Sequence, residues 1–317
     1  MRIVVALGGN ALLRRDQALT AAAQHTNVRI AALALADLAR DHQIIIAHGN
    51  GPQVGLMALQ TAAFAPNDPW PLDVLGAETE GMIGYLIEQE LMNALPLGHD
   101  CATLLTRVEV DAGDPAFAAP SKPIGPIYSQ AEAQKVQARH DWPMVDTDGG
   151  RRRVVPSPLP RAILGLRAIR LLVDAGVCVI CAGGGGIPVV RKPDGGMEGV
   201  EAVIDKDRTA ALLAQSLGAD ALLMLTDVPA IFSNWGTPQA AAIATITPAE
   251  LDALDFEAGS VAPKAASASA FVRAGGRMAG IGQLADARAI IEGHAGTRVV
   301  HSKPGTIAPP ARSAIAS

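Results

Sequence analysis

Arg2-Ile3-Val4-Val5-Ala6-Leu7-Gly8-Gly9-Asn10 sets the fold. An apolar run of strand length stops abruptly at two glycines. Working outward, an Ala/Leu-rich helix is expected from about Thr26 to Arg40. A second apolar run, Gln43 to Ala47, then ends in His48-Gly49-Asn50-Gly51. Strand, glycine turn, helix, strand, glycine turn is the βαβ signature of a parallel sheet.

The pattern continues along the chain. Glu78–Leu95 reads as a helix and Cys101–Leu105 as a strand. Further on, Ala162–Ala175 reads as a helix, Val177–Ala182 as a strand, Arg208–Leu217 as a helix and Ala221–Thr226 as a strand. Pro263–Ala274 is a helix, and short strands follow at Ala279–Ile281 and Thr297–His301. From about Asp111 to Pro160 prolines are frequent and apolar periodicity fades. Such a stretch is too long for an ordinary loop and indicates an inserted subdomain or lid. The fold class is therefore α/β: an open, mostly parallel sheet with helices on both faces. In such folds ligands sit at the carboxyl ends of the strands.

Composition agrees. The 317 residues are 49% hydrophobic but only 3% aromatic, so Ala, Val, Ile and Leu must build the core. A net charge of −5, with no dominant basic block, speaks against a nucleic-acid binder. The chain opens directly into a strand, and no apolar run reaches the ~18 residues of a membrane span. A soluble cytoplasmic protein is expected. The three cysteines, Cys101, Cys178 and Cys181, do not make a disulfide scaffold. Cys178 and Cys181 form a C-x-x-C pattern inside an apolar strand, with no further zinc ligands at matching spacing. They read as core thiols.

Three strands end in glycine clusters: Gly8-Gly9-Asn10, Gly49-Asn50-Gly51-Pro52 and Gly183-Gly184-Gly185-Gly186. Glycine lets backbone N–H groups approach a ligand, and such turns beside helix N-termini cradle anions. One cluster alone is as readily an ordinary turn. Three in the same position point to a ligand with several phosphate or carboxylate oxygens. Neither the P-loop pattern nor the dinucleotide pattern is present, since Pro52-Gln53-Val54 follows Gly51 and Pro188 breaks the register after Gly183.

Lysines supply the charge that phosphoryl transfer needs. Lys206, in Asp205-Lys206-Asp207, precedes a helix that Asp205 or Asp207 could cap; a solvated charge cluster fits this segment equally well. Lys264 follows Gly259-Ser260-Val261-Ala262-Pro263 at another helix start. Lys122 sits in the irregular insert, where it is either an exposed loop residue or a lid group closing on an anion. Arg151-Arg152-Arg153 forms a solvated edge of the insert or faces a phosphate.

These segments resemble the carbamate kinases, a branch of the amino acid kinase family. The resemblance rests on Ala6–Ala11, His48–Gly55, Gly81–Tyr85, Lys122–Pro126, Arg152–Pro158, Gly183–Pro188 and Gly199–Asp207, in order along nearly the whole chain. It implies a three-layer αβα sandwich of a single 1–317 domain, with about 111–153 as a small protruding subdomain. The N-terminal half is the acceptor side and the C-terminal half the ATP side, usually in a homodimer. It further implies reversible transfer between ATP and carbamate, giving ADP and carbamoyl phosphate, with Mg²⁺ held by the phosphates and no protein side chain as metal ligand. By position, Gly8, Gly9, Asn10, Gly49, Asn50 and Gly51 would hold carbamate and the transferred group. Lys122, Lys206 and Lys264 would clamp the phosphates and Asp207 orient the lysines. Gly184, Gly185, Thr226, Asp227 and Val228 would lie on the nucleotide. Two departures stand out: Val261 replaces the usual Met, and Gln130–Arg153 is shorter than usual. Two other readings compete. Another phosphotransferase of the same fold is opposed by the insert. A non-catalytic nucleotide-binding protein is opposed by the three lysines.

Overall fold

The computed structural model describes residues 1–12, 17, 20–66, 68–256 and 261–302, without the side chains of Asn10 and Ala11. In chain order the elements begin with β1 (Arg2–Leu7), α1 (Gly9–Leu12), α2 (Ala21–Ala39), β2 (Gln43–His48), α3 (Gly51–Phe64) and α4 (Leu72–Ala94). Next come β3 (Cys101–Leu104), β4 (Arg107–Val110), β5 (Lys122–Tyr128), α5 (Gln130–His140), β6 (Met144–Thr147), β7 (Gly150–Val155), β8 (Pro160–Ile163) and α6 (Leu166–Asp174). Then follow β9 (Cys178–Cys181), β10 (Ile187–Arg191), β11 (Met197–Gly199), α7 (Lys206–Leu217), β12 (Ala221–Thr226), β13 (Ile231–Ser233) and β14 (Ala241–Ile243). The chain ends with β15 (Thr245–Ile246), α8 (Pro248–Asp252), α9 (Val261–Arg273), β16 (Met278–Gln283), α10 (Ala287–Glu292) and β17 (Thr297–Val300).

Eight of these strands form one sheet in the order β15-β17-β16-β12-β1-β2-β9-β3. All neighbours are parallel except β16 and β17. The apolar run of β1 serves both faces. Val4 and Ala6 pack with Leu213, Leu217 and Phe271 of α7 and α9 on one side. Ile3, Val5 and Leu7 pack with Val28, Leu35, Ile87 and Ile290 of α2, α4 and α10 on the other. A strand buried on both faces needs no polar alternation, which is why the run is continuous. The same period of two separates the C-x-x-C thiols. Three residues apart on β9, Cys181 faces one layer and Cys178 the other, so they cannot share a ligand or a disulfide. Cys178 instead lies level with Cys101 of β3.

Several boundaries shift from the sequence expectation. α2 starts at Ala21, because Thr20 Oγ1 accepts from Ala23 N at 3.2 Å as an N-cap. α4 starts at Leu72. The helix expected from Ala162 is a strand there, β8, pairing with β4. α6 begins only after Gly165, whose φ of 81° breaks the chain direction. The weakly periodic stretch between 111 and 160 is itself ordered: β5, β7 and β6 make a three-stranded antiparallel sheet, with α5 capped by Ser129 and Glu132. Its apolar residues are few because the sheet is small and mostly solvated. What it buries, it buries against the body. Ile124 and Val155 join Val54 and Ala58 of α3, Leu72 and Leu75 of α4, and Val203 in a separate core.

At that contact two backbones meet. A Cβ on Gly55 would lie 1.9 Å from Gly125 Cα and 2.1 Å from Gly125 N. Gly76, inside α4, has nothing within 4 Å of the same position. Gly55→Ala should therefore destabilise the protein by about 1–3 kcal/mol and speed proteolysis within 111–156. Gly76→Ala should gain about 0.5–1 kcal/mol from helix propensity. Urea unfolding of both variants checks this, and equal stabilities would refute the close contact.

A candidate phosphoryl-transfer site at the strand ends

The carboxyl ends of β12, β1 and β2 lie side by side, and the glycines let them close up. Gly8 N donates to Leu225 O at 2.9 Å, and Gly49 N donates to Leu7 O at 3.1 Å. A Cβ on Gly8 would stand 2.9 Å from Leu225 O. One on Gly49 would stand 3.1 Å from Gly9 N and 3.4 Å from Cδ of Lys206. Two glycine turns, the lysine stem and the N-termini of α1 and α3 thus converge on one spot. The side chain of Asn10 lies outside the described residues.

Lys206 opens α7. Asp205 is its N-cap, with Oδ1 accepting from Asp207 N at 3.0 Å and Arg208 N at 3.2 Å. Its other oxygen, Oδ2, takes Lys122 Nζ at 2.7 Å. Burial alone would raise the Asp205 pKa. Lys122 and Lys206 overcome that and hold it well below the usual carboxylate range. Asp207 is 2% exposed. Its Oδ2 accepts from both Lys206 Nζ at 3.3 Å and Lys264 Nζ at 3.2 Å. Lys264 reaches in from the first turn of α9; Gly259 and Ser260 before it lie outside the described residues. Burial and the neighbouring Lys206 charge lower the Lys264 pKa. For Lys206 burial works the same way, but Asp207 and Asp205 outweigh it and raise its pKa. The structure brings Lys122, Lys206, Lys264 and Asp207 together, and adds Asp205, whose second role as partner of Lys122 left no trace in the sequence. Two cations on one carboxylate oxygen leave a surplus of positive charge, the complement of a phosphate chain.

The residues read as nucleotide contacts separate. Thr226 ends β12 beside Gly8, and its hydroxyl donates to Asp227 Oδ1 at 3.0 Å, with Val228 following. Gly184 and Gly185 follow β9, beyond β1 and β2. They do not meet Thr226. The space over Gly184 is filled by the Asn50 amide and that over Gly185 by Ile204. Their missing side chains admit protein, not ligand. The arginine run stays within the insert. Arg151 pairs with Asp146, Arg152 Nε donates to Gly125 O at 2.8 Å, and Arg153 stacks 3.7 Å over Trp142.

Behind the glycine turns lies a buried pair that the sequence did not announce. Glu80 of α4, 1% exposed, accepts from Gly183 N at 2.7 Å and Thr106 N at 3.1 Å. Burial pushes its pKa up to about 8, against the opposing pull of those two donors. His48, at the end of β2, is fully buried against Gly183, and burial pushes its pKa down to about 4. A cleft of about 620 Å³ opens elsewhere, lined by Arg2, Arg40, His42, Gln43, Asp100 and Asp220. It lies at the amino ends of the strands, away from every lysine above, so the charge and glycine geometry outweigh it as a guide to function.

The buried pair fixes a pH response. Glu80 binds a proton up to about pH 8 when folded and only up to about 4.5 when unfolded, so its contribution falls as pH rises through that window. His48 is depressed, so its contribution is lost as pH falls from 6.5 to 4. Between pH 6.5 and 8 only Glu80 acts. Relative to Glu80→Gln, the unaltered protein should lose on the order of 1–2 kcal/mol across that range. Parallel thermal-melt profiles of the two proteins from pH 6.5 to 8 would show the carboxyl is ionised throughout.

Comparison with known proteins agrees with this geometry. Residues 1–281 match the family model of the amino acid kinase family. A carbamate kinase of Rhizobium meliloti (strain 1021) is 52% identical over 305 residues, covering 95% of this chain and 94% of that one. The solved carbamate kinase from Giardia lamblia bound to citric acid superposes with a TM-score of 0.88 at 38% identity, covering 94% of this chain and 98% of that one. The same Giardia enzyme bound to AMP-PNP gives 0.85 at 38% identity, with the same coverage. With the family model matching residues 1–281 and these relatives covering almost the whole length, the chain belongs to the amino acid kinase family.

Proposed function

We propose that the protein transfers the γ-phosphoryl group of ATP to carbamate, giving ADP and carbamoyl phosphate, and runs the reaction in both directions. The observation that carries this reading is the lysine cluster on Asp207, set against the glycine turns of β1 and β2. A carbamate oxygen forms the new bond to phosphorus as the bond to the ADP oxygen breaks, in line and without a phosphoenzyme. Backbone N–H groups at Gly9 and Gly51, next to Gly8 and Gly49 whose own N–H groups tie the strand ends together, receive the acceptor and the transferred group, with Asn50 between them. Lys206 and Lys264 neutralise charge on the transferring oxygens, and Asp207 holds the two ammonium groups in place. Thr226, Asp227 and Val228 border the nucleotide, while Gly184 supports the acceptor side by packing under Asn50 and Gly185 packs against Ile204. Among the described residues no group of three His, Cys, Asp or Glu side chains could hold a metal. Magnesium would arrive on the phosphates, where it neutralises charge.

The subdomain at 111–153 acts as a lid in this reading, delivering Lys122 to the phosphates; in the structure that lysine rests on Asp205. A homodimer is supported by exposed Ile30 and Leu33 on α2 beside exposed Met82, Tyr85 and Met92 on α4. No helix among the described residues is long and apolar enough to cross a membrane. We place the enzyme in the cytoplasm, where ATP is supplied.

The test is ATP formation from ADP and carbamoyl phosphate with Mg²⁺. Glutamate, acetylglutamate, aspartate and uridine monophosphate should not be phosphorylated, because among the described residues no arginine at the glycine turns offers a bidentate clamp for a second anionic group. Turnover of any of them with carbamoyl phosphate inert would overturn the assignment. Lys206→Ala or Lys264→Ala should lower kcat by about two orders of magnitude or more. An unchanged kcat in either variant removes its assigned role.

A further inference from the structure

Asn50 occupies the N-cap of α3 but does not cap it: no side-chain hydrogen bond to the first turn is made. Asparagine in that position ordinarily turns its carbonyl oxygen onto the helix N–H groups. Here the amide goes elsewhere. Nδ2 donates to Thr79 Oγ1 of α4 at 2.9 Å. Thr79 is fully buried, and its hydroxyl lies 2.8 Å from Leu75 O and 3.0 Å from Gly76 O. A hydroxyl has one proton, and the helix carbonyls take it. Toward Asn50 it can only accept. The NH₂ end of the amide must therefore face Thr79, and a flip would set two acceptors against each other.

The plane of the amide is held as well. A Cβ on Gly184 would lie 2.2, 2.4 and 2.5 Å from Asn50 Nδ2, Cγ and Oδ1. Near-equal distances to all three atoms mean that the face of the amide, not an edge, lies on Gly184. Orientation and plane are thus both set, and Oδ1 is left over. Asn50 is 4% exposed, yet nothing among the described residues donates to that oxygen. A lone carbonyl oxygen between Gly49 and Gly51 is out of place in a purely anionic site. Backbone N–H groups suit carboxylate and phosphoryl oxygens; an acceptor oxygen suits a donor.

We propose that Thr79 is a positioning residue that fixes the Asn50 amide with its carbonyl oxygen free. That oxygen accepts from the amino group of the phosphoryl acceptor, so the site selects a carboxylate bearing N–H over its methyl isostere. The inference rests on the reading of these turns as the carbamate site. It explains how so small a substrate is recognised: its oxygens meet the glycine turns, and its nitrogen meets the one oriented acceptor.

Carbamoyl phosphate and acetyl phosphate differ by NH₂ against CH₃, and both can be offered with ADP and Mg²⁺ to the full-length protein. The readout is the ratio of their kcat/KM values. Thr79→Val keeps the shape and removes the acceptor, so the ratio should fall on the order of tenfold. Thr79→Ser keeps the hydroxyl and should restore it. Should the valine variant not fold, Thr79→Ala is measured the same way. A ratio that stays at the wild-type value without the hydroxyl overturns the proposal, as does a serine variant as poor as the valine one, which would mean packing alone. Wild-type protein that makes no ATP from carbamoyl phosphate defeats the carbamate reading first, and this inference with it.

Discussion

Asp207 carries two lysine ammonium groups on one carboxylate oxygen in a nearly dry position, and much of the site follows from that arrangement. Without the carboxylate, Lys206 and Lys264 would repel one another across a low-dielectric gap, and neither could stay charged at little cost. With it, α7 and α9 are drawn together at their N-termini, where both helix dipoles add positive potential. Asp205 does the complementary work two residues earlier. One of its oxygens caps α7 and the other holds Lys122 from the inserted subdomain. Two acidic residues flanking Lys206 therefore tie the helix start, the inserted subdomain and the far helix to one point.

The second constraint is steric. The site exists only because strand ends can approach more closely than side chains allow. Gly8 sits on Leu225 O, Gly49 on Gly9, and Gly183 on His48 and Glu80. Each pairing leaves out a Cβ that would crowd its neighbour, and each glycine N–H is spent on a protein acceptor that holds the strand ends together. The glycines after β9 lie one layer behind the turns of β1 and β2, against His48, Asn50 and Glu80. They let α4 reach the turns, so that Thr79 holds Asn50 while Glu80 holds Gly183 and Thr106. α4 in this sense supports the turns after β2 and β9, although its sequence reads only as a helix.

Glu80 and His48 show the cost of this compactness. Both are titratable groups deprived of water, and each moves toward its neutral form. Neutral groups can be buried beside an anion site without adding or cancelling the charge that the lysines supply. The lysine cluster and the neutral pair thus divide the site into a cationic front and an uncharged back.

The sequence alone determined the βαβ order, because β1, β2 and β12 are continuous apolar runs that only a parallel sheet buried on both faces accommodates. It also marked the glycine turns, two lysines at helix starts and Lys122 in the insert, because three glycine clusters in the same place at strand ends together point to an anionic ligand. Local periodicity could not show the ordered subdomain, whose small sheet buries its apolar residues against α3 rather than within itself. Nor could it show that Gly184 lies under Asn50 instead of beside Thr226, since strand order, not chain order, decides which turns are neighbours. The partnership of Lys122 with Asp205, 83 residues apart, and the orientation of Asn50 by Thr79, 29 residues away, were likewise settled only by tertiary packing. A hydrogen bond between distant residues leaves no periodic trace in the sequence. It becomes definite only when burial removes water as the alternative partner.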